Sequence, residues 1–480
     1  MLLTAALIIC VLPVHAAGQD AWGKASPYMT GELREAQSIG LIPDIIIGAD
    51  FTKPITRIEF AHLIILMCET YTGVSTEPHM LAGNPFTDTG DHAVFKAYCF
   101  GIMNETNEAG TLFSPDEPID RETMAYIVYR AIRLMAPLAD FTVSDLPDIP
   151  DIELISESAK PAVQYLYSRG IINGGKNHIF MPRPVSNSQK TSGYGIATRE
   201  QCVAVAYRVF KSLPAIQKTR FSVRDKAAEI MSYAADEPQD GKIISREELT
   251  AFLQPCANKI RVASNVIAVS FLGDFTKTGD EGWIQGYDSA FLYSAVTVGE
   301  TNQYKYNEEQ TLWGNNSGKS RFALNIFDVE KKLLTSYEWD SVSGTGVKAE
   351  TTMQSVQIGV TFLSLANYIP GRADSANVYK IYGDTVINGE RCVLFSETRS
   401  ENMIEGDKAA SSRSGPPELL RDITDYFYIS TVSGLCVLQS NYETVGDTTY
   451  QTIRFVFGIS PSLADVSKTE PPANITFTTQ

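Results

Sequence analysis

Three arginines in this sequence each come directly after a residue that is well suited to begin a helix. The arginines are Arg57, Arg121 and Arg199, and they follow Thr56, Asp120 and Thr198. Threonine and aspartate are favoured N-cap residues, because their side chains accept a hydrogen bond from a backbone N–H group of the first turn. A cation in that turn is unfavourable by roughly 0.3 to 1 kcal/mol, since this end of a helix already carries partial positive charge. An unfavourable choice made three times predicts a compensating partner.

Two kinds of partner would compensate the arginines. In the first, the unpaired N–H groups of the helix start and the guanidinium together bind a carboxylate or phosphate of a ligand, with the guanidinium donating two hydrogen bonds. In the second, each guanidinium forms a structural ion pair with an acidic residue of a neighbouring segment. The residues alone leave both interpretations open.

The arginines lie in three copies of one short string, and each copy opens an amphipathic helical pattern. The copies run from Ile55 to Glu59, from Ile119 to Thr123 and from Ala197 to Gln201. In the first copy Thr56 and Glu59, and in the third Thr198 and Gln201, have the spacing of a capping box. An earlier helical segment precedes each string, and these segments end at Gly40, Gly101 and Gly170. The pattern predicts three helix–loop–helix repeats, the third with a polar insert over residues 186–195.

These strings resemble the S-layer homology (SLH) family, and the resemblance covers roughly Trp22 to Leu213. The I-T-R-x-E element of that family is complete at Ile55–Glu59, whereas Thr123 and Gln201 replace its glutamate and Asp120 replaces its threonine. The resemblance implies an all-α pseudo-trimer of repeats, in which grooves between repeats bind an anionic secondary cell wall polysaccharide, typically through a pyruvylated sugar.

The resemblance also implies which residues contact the glycan. The anion-binding residues would be Arg57, Arg121 and Arg199, at helix starts formed by Thr56, Asp120 and Thr198. It further implies that the backbone comes close to the sugar at Gly40, Gly101 and Gly170. A glycine that ends a helix is also commonly a C-cap, so both interpretations of the glycines remain open.

Composition and charge limit the classes of function. The chain has 480 residues, of which 44% are hydrophobic, and a formal charge of −16. This charge argues against nucleic-acid binding, which depends on clustered lysines and arginines. Residues 1–17 are typical of a signal peptide, and no later segment is apolar for long enough to span a membrane. Cys68, Cys99 and Cys202 fall on apolar stretches, where buried free thiols are expected.

The segment 214–258 is predicted to be a helical linker around an EF-hand-like loop. Asp236, Asp240 and Glu247 have the spacing of calcium ligands, but Pro238 stands where another ligand is expected. A helical hairpin without metal is the leading interpretation. A weak calcium site and a remnant of the repeated string at Ile244–Leu249 are the alternatives. No other cofactor is expected.

Residues 259–480 are predicted to form an antiparallel β domain, an open sheet or half barrel. Eight short segments there are rich in β-branched and aromatic residues and are bounded by turns. The stretches NGERCVLFSE, DYFYISTVSGLCVLQSNYE and TIRFVFGI are similar in rhythm to LolA-like lipoprotein-carrier half-barrels. That resemblance implies a curved sheet that shelters an apolar or lipid-like ligand, and a closed core without a cavity is the alternative.

The whole sequence therefore predicts an α + β multidomain protein. Its parts are a signal peptide (1–17), three SLH repeats (18–75, 82–137 and 141–213), the linker (214–258) and the β domain (259–480). The leading hypothesis is an exported, non-catalytic protein of a bacterial envelope that binds the wall polysaccharide through its repeats and displays the β domain. The alternatives are an SLH-anchored enzyme acting on glycan and a lipid or ligand carrier.

Overall fold

The structure is a computed structural model, and its two kinds of secondary structure are segregated along the chain. Helices dominate as far as Lys218 and strands from residue 261 onward, so the chain is α + β. The predicted signal peptide and Asp236 lie outside the described residues. These are 20–73, 79–80, 84–107, 109–136, 139–219, 221–222, 225, 232, 237–257, 261–262, 265–278, 284–285, 290–298, 302–311, 320–340, 342–353, 377–387, 390–402, 420–431, 434, 436–445, 448–461 and 470–479.

The helical part contains three helix–loop–helix units, as the repeated pattern predicts. In each unit a short first helix is followed by a longer second helix that begins at one of the three arginines. The pairs are α1 (Thr30–Ser38) with α2 (Arg57–Thr72), α3 (His92–Cys99) with α4 (Arg121–Met135), and α5 (Lys160–Ser168) with α7 (Arg199–Lys218). The insert of the third unit contains a short helix, α6 (Asn187–Ser192).

The long helices begin where the capping pattern predicts. The Thr56 side chain accepts from the backbone N–H of Glu59, whose carboxylate accepts from the N–H of Thr56, and Thr198 and Gln201 repeat this arrangement. The Asp120 carboxylate accepts a hydrogen bond of 2.7 Å from the N–H of Thr123. These bonds satisfy backbone donors that the helix itself leaves unpaired, which fixes the first residue of each helix.

Apolar side chains of all three units form one continuous core. Phe51, Phe113 and Phe180, the aromatic residues that precede each string, are completely buried in it. Burying an aromatic side chain of this size stabilises the fold by roughly 1.5 to 3 kcal/mol. The loop between the two helices of each unit is therefore held to the core by its aromatic residue.

Sixteen strands are described, and fourteen of them belong to one large sheet. They are β1 (His79–Met80), β2 (Lys242–Ile244), β3 (Arg261–Val262), β4 (Asn265–Thr278), β5 (Ile284–Gln285), β6 (Ala290–Val298), β7 (Asn302–Thr311), β8 (Ser320–Asp328), β9 (Leu333–Asp340), β10 (Thr345–Thr352), β11 (Val378–Ile387), β12 (Glu390–Asn402), β13 (Leu420–Ser430), β14 (Cys436–Val445), β15 (Thr448–Pro461) and β16 (Thr476–Thr479).

The order of the large sheet is β16-β10-β9-β8-β7-β6-β4-β15-β14-β13-β12-β11-β2, with β5 beside β4, and β1 pairs only with β3. Neighbouring strands are antiparallel, which agrees with the prediction, except that β16 pairs with β10 in parallel. Within the described residues, no pairing joins the terminal strands β2 and β16.

The predicted linker does not consist of helices alone. Its residues Lys242–Ile244 form β2, which pairs with Tyr379–Ile381 of β11. The helix that follows, α8 (Arg246–Ala257), buries Leu249 and Leu253 against Phe395 and Phe427 of the sheet. Because its apolar face has a partner on the sheet, this part of the predicted linker packs as part of the β-rich region.

Candidate anion-binding sites

The three strings meet in a closed ring of backbone hydrogen bonds. The N–H of Ile55 donates to the carbonyl of Ala197 (3.1 Å), that of Ala197 to Ile119 (3.0 Å) and that of Ile119 to Ile55 (3.2 Å). We call this arrangement the central ring. It brings three segments that are far apart in the chain to one place, so the three arginines surround a common centre.

The first backbone N–H groups of the three long helices are already used. Those of Arg57, Arg121 and Arg199 donate to the carbonyls of Glu117, Gly195 and Lys53 at 2.8 to 3.0 Å, and the next N–H groups donate to Pro115, Pro182 and Phe51. The third N–H group of each helix is bonded by the N-cap side chain. The prediction that unpaired N–H groups form an anion pocket is therefore wrong for these helices, and an anion would have to be bound by the guanidiniums.

Each arginine marks a junction between its own unit and the next one around the central ring. At the first junction, Arg57 is half-buried, its Nε donates to the carbonyl of Phe113 (2.7 Å) and its Nη2 donates to that of Asn104 (2.6 Å). Its guanidinium carbon lies 4.6 Å from the centre of the Phe113 phenyl ring. Burial lowers the pKa of Arg57 to about 10, although Asp88, Asp120 and Glu105 act in the opposite direction.

At the second junction, Arg121 is only 8% exposed. Its Nε donates to the carbonyl of Phe180 (2.7 Å) and its guanidinium carbon lies 5.3 Å from the Phe180 ring centre. Burial lowers the pKa of Arg121. No carboxylate of the described residues forms an ion pair with it. A buried cation without a counter-ion is costly, so an anion at this junction would be stabilised.

Tyr167 adds a second unsatisfied group to the second junction. Its hydroxyl oxygen is buried and has no hydrogen-bond partner within the described part of the chain. Its phenol ring lies edge-on to Phe180 at 5.9 Å, and burial raises the pKa of Tyr167 to about 12 while Arg121 opposes this shift. The hydroxyl thus stays neutral at pH 7, and the Tyr167 ring and the Arg121 guanidinium both lie against Phe180.

The third junction differs from the other two. Arg199 donates from Nε and Nη2 to the two carboxylate oxygens of Glu59, at 2.9 and 2.6 Å, and from Nη1 to the carbonyl of Asp50 (3.2 Å). The side chains of Arg199 and Glu59 are only 15% and 12% exposed. Of the two interpretations left open by the sequence, the structural ion pair is the one observed here.

Asp88 and Asp151 shape the first and second junctions, and sequence reasoning missed this role. The Asp88 carboxylate accepts from the N–H groups of Phe113 and Ser114, and that of Asp151 accepts from those of Phe180 and Met181. These bonds fix the two carbonyls and phenyl rings that the arginines contact. The sequence does show that the two loops bound by these aspartates are related, because in each a phenylalanine is followed by one further residue and a proline.

The three glycines directly follow the C-cap residues of the short helices, at the position where a left-handed residue ends a helix. Gly40, Gly101 and Gly170 have φ angles of +76°, +65° and +65°, a region that favours glycine. The N–H of the residue after each glycine donates to a carbonyl of the preceding helix, as Leu41 does to Ala36 (2.9 Å). This accounts for the glycines without a ligand, and their proximity to a sugar stays a prediction.

The predicted calcium residues do not form a described cluster. Asp240 has a φ of +61°, Glu247 is exposed in the first turn of α8, and Asp236 is outside the described residues. The neighbouring Glu237 accepts a hydrogen bond of 2.6 Å from the Tyr426 hydroxyl of β13. In the described ranges, no group of three or more histidine, cysteine or acidic side chains is placed to hold a metal ion.

The predicted burial of the cysteines in the helical part is confirmed. Cys68 and Cys202 are buried free thiols, and Cys99 is also buried. Burial raises the pKa of Cys68 to about 12. The thiol therefore stays protonated at neutral pH and acts as a small apolar side chain.

Two curated proteins are similar to part of this chain. Exoglucanase XynX of Acetivibrio thermocellus is 28% identical over 163 residues, which are 32% of this chain and 13% of that protein. Amylopullulanase of Thermoanaerobacterium thermosulfurigenes is 27% identical over 159 residues, 32% of this chain and 7% of that protein. The chain thus spans only a small share of the length of either relative. No family model matches the chain.

Comparison with solved structures gives low TM-scores. A DUF1329 family protein from Desulfovibrio piger covers 47% of this chain and 95% of its own, with a TM-score of 0.16 and 10% identity. A β-barrel-like DUF1849 protein from Brucella abortus covers 42% of this chain and 98% of its own, with a TM-score of 0.14 and 7% identity. Among the described residues, no helix has the length and apolar character needed to cross a membrane.

Proposed function

We propose that this protein is an exported, non-catalytic component of a bacterial cell envelope. Its three helical units are SLH repeats that bind an anionic, pyruvylated secondary polysaccharide of the cell wall, and its β domain is displayed from that anchor. The polysaccharide carboxylates are bound by guanidiniums at the unit junctions. Lipid or ligand carriage through the β domain is a separate hypothesis.

The central ring supports the assignment of the helical units to an SLH pseudo-trimer. Each unit donates one hydrogen bond to one neighbour and accepts one from the other. Equivalent arginine N–H groups also bond to equivalent loop carbonyls, three residues before the N-cap of the next unit. A cyclic assembly of three repeats produces this connectivity, whereas a linear array would leave its ends unpaired.

The observation that carries the proposal is the environment of Arg121. The overall charge of −16 repels anions at long range, so an anionic glycan needs a local cation. Arg121 is such a cation, almost fully buried and paired with no described carboxylate. Its guanidinium lies against the Phe180 ring, as does the ring of Tyr167, whose hydroxyl has no partner among the described residues. A carboxylate of the ligand would accept hydrogen bonds from both groups.

The names of the two relatives agree with a role at a glycan surface. An exoglucanase and an amylopullulanase are by name enzymes that act on polysaccharides. Because this chain covers so little of either protein, their activities do not transfer to it. An envelope enzyme anchored by the repeats is therefore the second candidate, and release of reducing sugar from soluble glucans by the purified protein would favour it.

A sedimentation assay tests the anchoring proposal. The purified full chain is mixed with cell-wall sacculi that either retain the secondary polysaccharide or have been stripped of it with hydrofluoric acid. We expect co-sedimentation with the intact sacculi and its loss with the stripped ones. Equal sedimentation with both preparations would contradict the proposal.

A further inference from the structure

The three junctions have the same backbone register. The arginine N–H groups bond to Lys53, Glu117 and Gly195, each three residues before the N-cap of the next unit. At the third junction, this register places Arg199 against Glu59, the third residue after the N-cap of the first unit. By the same register, Thr123 takes the place of Glu59 at the first junction, opposite Arg57. Gln201 takes that place at the second junction, opposite Arg121.

The residues in this third position differ in charge. Glu59 supplies a carboxylate that neutralises Arg199 through two hydrogen bonds. Thr123 and Gln201 supply no charge, and within the described ranges neither Arg57 nor Arg121 takes part in an ion pair. The replacements that make the second and third strings depart from the family element therefore leave two guanidiniums without a bound carboxylate.

The two remaining junctions are also unequal. Arg57 donates from Nε to the carbonyl of Phe113 and from Nη2 to that of Asn104, so two of its three guanidinium nitrogens already have backbone acceptors. Among the described residues, the Arg121 side chain has one hydrogen-bond acceptor, the carbonyl of Phe180, which is bound by its Nε. More guanidinium donors are therefore left for an anion at Arg121 than at Arg57.

We propose that the third residue after each N-cap determines which junctions bind the anionic glycan. Gln201 leaves Arg121 open as the strongest site, Thr123 leaves Arg57 open as a weaker site, and Glu59 closes the Arg199 junction. This inference rests on the proposed function and specifies where on the protein the carboxylate binds. It predicts two sites per chain, although the sequence has three arginines.

Calorimetric titration of the full chain tests the proposal. The probe is a synthetic hexose that carries a pyruvate ketal, and the same hexose without the ketal is the reference. Gln201→Glu places a carboxylate at the second junction, in the position that Glu59 has at the third junction. The variant keeps its capping box, because glutamate is favoured at this position of the box. We expect this variant to weaken the strongest site at least about tenfold, since Arg121 then has an internal counter-ion.

Glu59→Gln provides the reciprocal test. Glutamine can still accept the capping hydrogen bond from Thr56 but no longer neutralises Arg199, so we expect one additional site per chain. Arg121→Gln should abolish the strongest site. Arg34→Gln is the matched control, because it removes one positive charge from the exposed face of α1, where Arg34 pairs with Asp20. Circular dichroism verifies that each variant is folded.

The outcomes separate this inference from the proposed function. If the ketal sugar binds and Arg121→Gln abolishes the strongest site while Gln201→Glu does not weaken that site, control by the third position is refuted and the anchoring function stands. If the wild-type protein does not distinguish the ketal sugar from the reference, the proposed function itself fails. If Glu59→Gln does not fold, the result for Gln201→Glu alone decides the proposal.

Discussion

The carboxylate of Glu59 accepts two hydrogen bonds from the guanidinium of Arg199, a residue 140 positions further along the chain. The same carboxylate accepts a hydrogen bond of 3.0 Å from the backbone N–H of Thr56. One side chain therefore both begins the helix α2 and joins the third helical unit to the first. Because Glu59 belongs to the string that most fully matches the SLH element, its carboxylate leaves Arg199 the least available of the three arginines for a ligand.

We expect Arg199→Gln to lower the free energy of unfolding by about 2 to 4 kcal/mol, because it leaves the poorly exposed Glu59 carboxylate without its cation. Glu59→Gln should be destabilising as well, and the double variant should lose less than the sum of the two. Urea denaturation of the four proteins in a double-mutant cycle measures the coupling. Additive losses would show that the pair contributes no interaction energy of its own.

We expect Gly40→Ala and Gly170→Ala each to cost about 1 to 2 kcal/mol, since an L side chain disfavours their positive φ angles. A Cβ atom at either position meets nothing within 4 Å, so the cost is one of backbone conformation alone. Thermal denaturation measures it. Gly31→Ala in α1 is the control, because Gly31 has helical geometry and open space, and that variant should be more stable by roughly 0.5 to 1 kcal/mol.

We expect Asp120→Asn to stabilise the fold increasingly as pH rises. Burial is the largest influence on the Asp120 carboxyl and raises its pKa above the ordinary 3.8. At pH values just above 3.8, the folded state binds the proton of the Asp120 carboxyl more tightly than the unfolded state does. The stability of the wild-type protein therefore falls as pH rises through this range. Asparagine keeps the N-cap without the charge.

Urea denaturation between about pH 3 and about pH 7 compares the two proteins. The stability of Asp120→Asn relative to wild type should be greater at the upper end of this range. Asp116→Asn, which removes an exposed carboxylate from the same loop, is the control and should show no comparable trend. A relative stability that decreases with pH would contradict the assigned direction of the shift.

We expect Leu253→Ala to cost about 2 to 5 kcal/mol, because Leu253 is completely buried between α8 and the sheet. Hydrogen exchange followed by mass spectrometry should show faster exchange in β11 to β13 and unchanged exchange in α2. Glu247→Ala, at an exposed position of the same helix, is the control. Equal acceleration in α2 would mean that α8 stabilises the helical units as well.

The helix starts were predictable from sequence because capping is a local property. Thr56, Asp120 and Thr198 act through residues three positions away, and those residues are visible in the chain. The partner of each arginine was not predictable in this way. It depends on the order in which the three units meet, and a register between distant loops leaves no local signal.

In the β-rich region, too, local features were predictable from the sequence and contacts between distant segments were not. Seven of the eight predicted segments lie within β4, β8 and β11 to β15, and the eighth overlaps β6, since their β-branched and aromatic residues favour extended backbone. The more polar strands β7 and β10 escaped prediction, because their stabilisation comes from pairing with neighbours. The parallel contact of β16 and the addition of β2 both depend on distant partners.

A ring of three units has no first or last member. A linear array of repeats needs special end units to cover its exposed faces, and it can fray from either end. In the central ring each unit is bonded to a neighbour on both sides. The bond between Ile55 and Ala197 closes the ring, and it can form only after the third unit has been synthesised. The helical units should therefore unfold together in a single transition, and deleting one unit should unfold the other two.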